Sequence, residues 1–450
     1  MSIDRQRLMK SGSVWAIADQ MVASAGNFAI TLLLARGLAP GEFGTFVLIN
    51  STCLIAFGFH ANLIVSPLVV LGASASAAKS RTYPTVALML TVALLPVSFL
   101  VVFSASMSLH REATGLLAVS YILAWQLQET TRRALISRLR YRDAIWGDAI
   151  SYIGQALLVG LLFLQPRSTL NEAFAIMGAT SLAAAALQCW QARPARATWT
   201  EFRTTGIAFW ILGKWLIAAA LIGMAAGPLF PWLLNWLHGR EAVAAYQAVM
   251  NLLAVANPII LSIPAIVMPV AANFLLTHRE HGARSLLGLG IRYVWQIELI
   301  LAPALLLLAM WPHAALALFY GKASPYCDET LALRVGVVGC LLYIPLNVFT
   351  AALTGSGRTK RNAIAHGAGA VASLVCAPPL IFSGGVVGAM LAVAASRGAS
   401  LLMATHYLWP SSPAGGGGGV TLECNTSAAL DVSAKQVQTI ASSSTSVTTG

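Results

Sequence analysis

A chain of 450 residues that is 57% hydrophobic and only 10% charged falls outside the water-soluble globular class, whose members carry roughly 25% charged residues. Its formal net charge of +12 would suggest a nucleic-acid partner in a soluble protein. On so apolar a chain the cations read as topology signals, and no nucleic-acid binding is expected.

Apolar stretches of about 20 residues recur from Val14 to Trp409, each long enough to cross a hydrocarbon layer of ~30 Å. They lack the ten-residue alternation of a membrane barrel, which leaves helices as the spanning structure. The fold class is therefore an all-α polytopic membrane protein. Arg5, Arg7 and Lys10 precede the first run, which is too long for a signal-peptide core and has no small-residue cleavage site; it reads as an uncleaved first helix. Twelve spans are predicted, near 14–35, 43–71, 84–108, 115–136, 144–164, 170–190, 207–237, 241–273, 286–311, 329–354, 361–383 and 385–408.

The first connection, LARGLAPGEF, is a tight turn. Gly37 is expected to close helix 1 in a left-handed cap, Pro40 to open the next helix, and Glu42 to sit at that helix's positive end. A weaker echo, LHGREAVAAY, joins the first two spans of the second half. Placing the N-terminus in the cytoplasm assigns Lys79, Arg81, the run Arg132 to Arg142, Arg193, Arg196, Arg203, Arg279, Arg284, Arg292, Arg358, Lys360 and Arg361 to cytoplasmic segments. The opposite loops hold only Arg36, Arg111, Arg167, Arg240 and Lys322, so the positive-inside rule supports both the count and the orientation. The run TRRALISRLRYRD reads as an anchor at anionic head groups rather than an RNA site, with Glu129, Asp143 and Asp148 pairing beside it.

The expected organisation is a six-helix bundle over 1–192, a linker over 193–206, a second six-helix bundle over 207–409 and a disordered tail over 410–450. Pro258, Pro264 and Pro269 are expected to bend the eighth span. The cysteines form neither CxxC pairs nor a loop framework and read as small core residues. No phosphate-binding G-x-x-x-x-G-K-[ST] motif occurs, no histidine or carboxylate group resembles a metal site, and the loops leave no room for a soluble catalytic domain. A transporter without cofactor or metal is expected in preference to an enzyme.

Ionisable residues inside spans cost about 2.5–3.5 kcal/mol each on insertion scales and are functional candidates by default. Glu298 and Arg397 lie deepest, with Asp19, Lys214 and Arg334 one or two turns in. Asp19 and Lys214 are close enough to one face to snorkel, and Glu298 with Arg397 has a structural ion pair as the competing reading. His60 reads as a hydrogen-bonded helix contact.

The ordered set ARGLAPGEFGTF, GREAVAAYQAVMNLL, IPAIVMPVAANFL, ALFYGK, NVFTAALTGSGRTKRNAIAHGAGAV and GGVVGAMLAVAAS resembles the MOP (multidrug/oligosaccharidyl-lipid/polysaccharide) exporter superfamily, in particular its Wzx-like polysaccharide flippases. The resemblance covers about residues 10–408. It implies two pseudo-symmetric six-helix bundles around a central cavity. It also implies movement of an undecaprenyl-diphosphate-linked oligosaccharide across the bacterial inner membrane for polysaccharide biosynthesis, with membrane lipids, polymerase and chain-length machinery as partners. Lys214, Arg334 and Arg397 are then candidates for the lipid diphosphate, and Asp19 and Glu298 for ion coupling or charge pairing. Two alternatives stand beside it: an ion-coupled drug antiporter of the MATE type, for which Asp19 and Asp148 are the acidic candidates, and a non-transporting membrane subunit of a polysaccharide assembly complex.

Overall fold

A computed structural model describes residues 2–73, 77–165, 168–224, 227–277 and 282–409; the tail over 410–450 lies outside them. Every regular element among the described residues is helical. The first lobe contains α1 (Ser2–Gly37), α2 (Pro40–His60), α3 (Ser66–Ala73), α4 (Ala77–Ser108), α5 (Glu112–Ile136), α6 (Tyr141–Asp148), α7 (Gly154–Leu162) and α8 (Leu170–Ala192). The second contains α9 (Trp199–Met224), α10 (Phe230–His238), α11 (Arg240–Leu253), α12 (Asn257–Thr277), α13 (Gly282–Met310), α14 (Pro312–Tyr320), α15 (Thr330–Gly355) and α16 (Thr359–Leu408).

Among the described residues, eight helical stretches are long and apolar enough to cross a membrane, several of them composite. A π turn at Ala61–Val65 fuses α2 to α3, and its widened ring lies just before Pro67, which has no N–H to give an α ladder. A second π turn at Ala149–Ile153 fuses α6 to α7, and a 3₁₀ turn at Ala254–Ala256 bends α11 into α12 ahead of Pro258. The 50-residue α16 breaks at Gly385, whose φ of 52° and ψ of −123° leave the helical region, so it supplies two crossings. With α1, α5 and the α9–α10 pair, the predicted twelve spans are accounted for in two six-helix bundles.

The differences from the expected elements have local causes. The seventh span is interrupted: α9 ends at Met224 and α10 begins at Phe230, with Pro228 and Pro231 at the gap. α9 also starts at Trp199 rather than 207, because Thr198 and Glu201 form a reciprocal cap in which each backbone N–H donates to the other side chain, at 2.8 and 3.3 Å. The short α14 opens on Pro312 and closes at Gly321 with φ of 92°. Gly37 does not adopt a left-handed cap; it is the last residue of α1 and has no positive φ. A Cβ there would sit 2.4 Å from the Phe163 ring, so the glycine admits an aromatic neighbour instead of turning the chain.

The two hairpins meet. A Cβ on Gly44 would fall 2.0 Å from the carbonyl oxygen of Arg240, so only a glycine lets α2 reach the start of α11. Arg240 Nη2 donates across to Leu109 O at 2.9 Å, and Arg36 donates to the α14 carbonyls of Leu318, at 2.9 Å, and Phe319. Phe43 faces Tyr326 with centroids 6.3 Å apart, and Phe46 faces Phe174 at 5.5 Å. One continuous apolar core consequently runs through both lobes. Below, the side of the molecule carrying these contacts is called the hairpin face. The opposite side, with the α5–α6 and α15–α16 turns, is called the basic face.

Candidate functional site

A cavity of about 350 Å³ lies between the lobes, walled by α1 and α2 on one side and by α10, α11, α15 and α16 on the other. That volume is at the lower end of the ~300–1,000 Å³ range of small-molecule sites. α2 turns Phe46, Asn50, Ser51 and Leu54 to it, and α11 turns Tyr246, Gln247 and Met250; both sets follow the i, i+3, i+4 spacing of one helix face. Pro228 and Pro231, at the break of the seventh span, close one wall. Asn257, Tyr343 and Arg397 complete the polar lining.

Arg397 is the one charged side chain in this lining, and no carboxylate joins it. Its guanidinium carbon stands 4.4 Å from the centroid of the Tyr343 ring, a cation–π contact that holds the group without neutralising it. Among the described residues it takes part in no ion pair. Asn50, Gln247 and Asn257 likewise make no side-chain hydrogen bond to another described residue, so their amides are available to a ligand. At the cavity edge, Thr31 Oγ1 donates to Asn251 Oδ1 across the lobes at 2.5 Å, and Trp232 Nε1 donates to Thr52 Oγ1 at 3.1 Å.

The other sequence candidates stand elsewhere. Arg334 is on an exposed face of α15, where Nε donates to Ala309 O at 3.2 Å. Lys214 is on an exposed face of α9, one residue from Gly213, which packs on Leu63 of the first lobe. Glu298 is half-buried on α13 and, among the described residues, has no ion-pair partner; it does not reach Arg397.

Asp19 belongs to a different assembly. Arg132 on α5 is 5% exposed and donates through Nη2 to Asp19 Oδ2 on α1 at 2.5 Å, through Nε to Asp148 Oδ2 on α6 at 2.5 Å, and through Nη1 to Glu129 at 3.3 Å. Arg133 Nε reaches Glu129 Oε1 at 2.5 Å. Gln188 Nε2 donates to Asp148 Oδ1 at 3.2 Å and to the Ala144 carbonyl at 3.0 Å. Three carboxylates around two guanidiniums leave one formal negative charge in excess. One α-helical turn from Arg133 towards the hairpin face, His60 Nε2 sits 3.1 Å from Thr91 Oγ1 and 2.9 Å from Thr130 Oγ1, the helix contact expected of it.

Sequence reasoning assigned Arg132 to a headgroup anchor because it stands in a basic run; its burial makes it the centre of an ion-pair network instead. It also passed over Asn50, Gln247 and Asn257, which are single amides in apolar helices. Their only signal was that an amide facing lipid would be costly.

The fold of the chain is shared with solved transporters. The inward-facing conformation of a multidrug resistance MATE family transporter of the MOP superfamily is 14% identical, with a TM-score of 0.68 over 86% of this chain and 94% of that one. Lipid II flippase MurJ in its inward closed conformation is 12% identical, with a TM-score of 0.65 over 88% and 87%. A MOP superfamily transporter from Pyrococcus furiosus, described as having a binding pocket of reverse polarity that suggests a different function, is 13% identical, with a TM-score of 0.62 over 89% and 95%. No family profile matches the chain, and no curated protein matches it by sequence. The chain is a multi-pass membrane protein with the fold of the MOP-superfamily transporters.

Proposed function

We propose that the protein is a Wzx-like flippase that carries an undecaprenyl-diphosphate-linked oligosaccharide across the bacterial inner membrane, with both termini cytoplasmic, in polysaccharide biosynthesis. The observation that carries this reading is Arg397: an ion-unpaired guanidinium in an inter-lobe cavity whose lining contains no carboxylate. Such a cavity attracts an anion and repels a cation. A diphosphate cannot enter hydrocarbon without losing its water, and the guanidinium with the free amides of Asn50, Gln247 and Asn257 supplies replacement hydrogen bonds. A space of about 350 Å³ takes the charged headgroup region while the polyprenyl chain stays in lipid.

The division into bundles at 1–192 and 207–409, joined by a linker at 193–206, belongs to this reading, since the two lobes must move against each other. Lys214 and Arg334, on exposed helix faces outside the lining, are proposed as secondary contacts made as the lobes move, and Glu298 as the ion-coupling candidate. Polymerase and chain-length proteins are the proposed partners that consume the product. Drug–cation antiport is the weaker reading, because Asp19 and Asp148, the carboxylates it would use, are both held by Arg132.

Deletion of the gene followed by analysis of lipid-linked sugars tests the proposal. Complete oligosaccharide-lipid should accumulate in the cytoplasmic leaflet while polymer is lost, and Arg397→Ala should reproduce part of that defect with normal protein levels. Drug sensitivity with unchanged polysaccharide would overturn it.

A further inference from the structure

Outside the central cavity, an open groove of about 860 Å³ runs along the first half of α16. Its lining repeats at helical spacing from Lys360 through Ile364, Gly367, Val371 and Val375 to Cys376, and Met403 from the returning half of α16 forms the far wall. Apart from Lys360, at the basic-face end, every lining residue is uncharged and nonpolar or weakly polar. Val371 and Val375 are 62% and 67% exposed, so the groove opens outward and not into the lobe.

We propose that this groove is a binding site for a glycerophospholipid with an anionic phosphate headgroup, seated in the leaflet on the basic-face side. Two observations converge on that occupant. The first is charge. Lys360 is exposed and has no hydrogen bond or ion pair to a described residue, Arg361 follows it in sequence and lies over the Tyr407 ring, and α16 opens after its N-cap residue Arg358 without a side-chain cap. The uncapped N–H groups and the helix dipole add partial positive charge at the same end. Arg358, whose guanidinium is held below its ordinary value by burial and then by the neighbouring Arg361, donates through Nη1 to the Tyr407 carbonyl at 3.4 Å and adds positive charge near that end without lining the groove.

The second is length. At ~1.5 Å per residue, the stretch from Lys360 to Cys376 runs about 24 Å. One leaflet, headgroup included, is about 20–22 Å deep. The groove therefore matches one phospholipid from phosphate to chain end, and it stops just before Pro378 and Pro379. A chain much longer than a leaflet would overrun it.

This site does not depend on the transport reading, since it faces lipid and shares no residue with the central cavity.

Native mass spectrometry of the purified full-length protein tests the site, with dioleoyl phosphatidylglycerol, dioleoyl phosphatidylcholine and a polyprenyl phosphate as probes. Phosphatidylglycerol should be retained in preference to phosphatidylcholine, and Lys360→Gln should weaken it by about fivefold, the effect of one cation near a membrane surface. A Cβ on Gly367 meets no atom within 4 Å, and the same holds for Gly398 on the second half of α16, so leucine is sterically tolerated at both. Gly367→Leu should fill the groove and abolish the preference; Gly398→Leu should leave it intact. Equal retention of the two glycerophospholipids overturns the proposal. So does an equal loss in both glycine variants, a preference for the polyprenyl phosphate, or a dimer dissociated by Gly367→Leu.

Discussion

Arg132 and Arg397 are both arginines on membrane-spanning helices, and their surroundings are opposite. Arg132 is met by carboxylates from three helices and shielded from solvent. Arg397 meets an aromatic face and an inter-lobe cavity. The first arginine has its counter-charge built into the protein, so it ties α1, α5 and α6 together. The second has none among the described residues, and in the proposed function the ligand supplies it. Both lie on membrane-spanning helices, and the presence or absence of a built-in counter-charge is what separates them.

Removing the clamp should have the largest effect. Arg132→Met leaves Asp19, Glu129 and Asp148 buried with one remaining cation, and breaking a buried pair of this kind costs about 3–5 kcal/mol. Thermal unfolding in detergent should show a large drop in midpoint or no folded protein; a near-normal midpoint would remove Arg132 from the centre of the lobe. Gly44→Val tests the seam between the lobes. Its side chain would overlap the Arg240 carbonyl, and overpacking of this sort costs about 1–3 kcal/mol. A spin-label pair at the ends of α2 and α11 should read a longer distance in the variant.

Asp19→Asn sharpens the comparison from the other side. It loses a charge-assisted hydrogen bond worth about 1.5–3 kcal/mol, yet it removes the excess negative charge and keeps an acceptor oxygen. The net change in stability should stay within about 1 kcal/mol, far less than for Arg132→Met. Equal losses in the two variants would break the account of three carboxylates around two cations. The smallest stability effect belongs to Arg397→Ala, about 0.5–1 kcal/mol for the lost contact with Tyr343. Its consequence should instead appear as weaker binding of a diphosphate lipid to the purified protein.

Much of the fold was legible because span length and hydrophobic content are properties of single helices. The twelve crossings and the paired hairpins followed from apolar runs and their punctuation. The site was less legible, because it depends on which helices meet. Arg132 sits in a run of basic residues that looks solvated from the sequence, and only the approach of α1 and α6 makes it a hub. Gly37 looked like a turn residue, while its contact with Phe163 and that of Gly44 with Arg240 come from elements far along the chain. Arg397 stood out in the sequence because a lone cation amid apolar residues carries its cost on its face. Arg334 lies nearer a span end than Arg397 in the sequence, and only the structure shows that it stands on an outer surface.

The contact between Gly44 and Arg240 has a mechanical consequence. The fused rod of α2 and α3, from Pro40 to Gly72, is 33 residues long, or about 50 Å at ~1.5 Å per residue. Held at its hairpin end and tilted by about 10°, such a rod moves its far end by about 9 Å. In the proposed transport cycle, the missing side chain at Gly44 would place a fulcrum close to one end of a long lever, where a small adjustment at the pivot is amplified into a displacement about as wide as a sugar ring at the other.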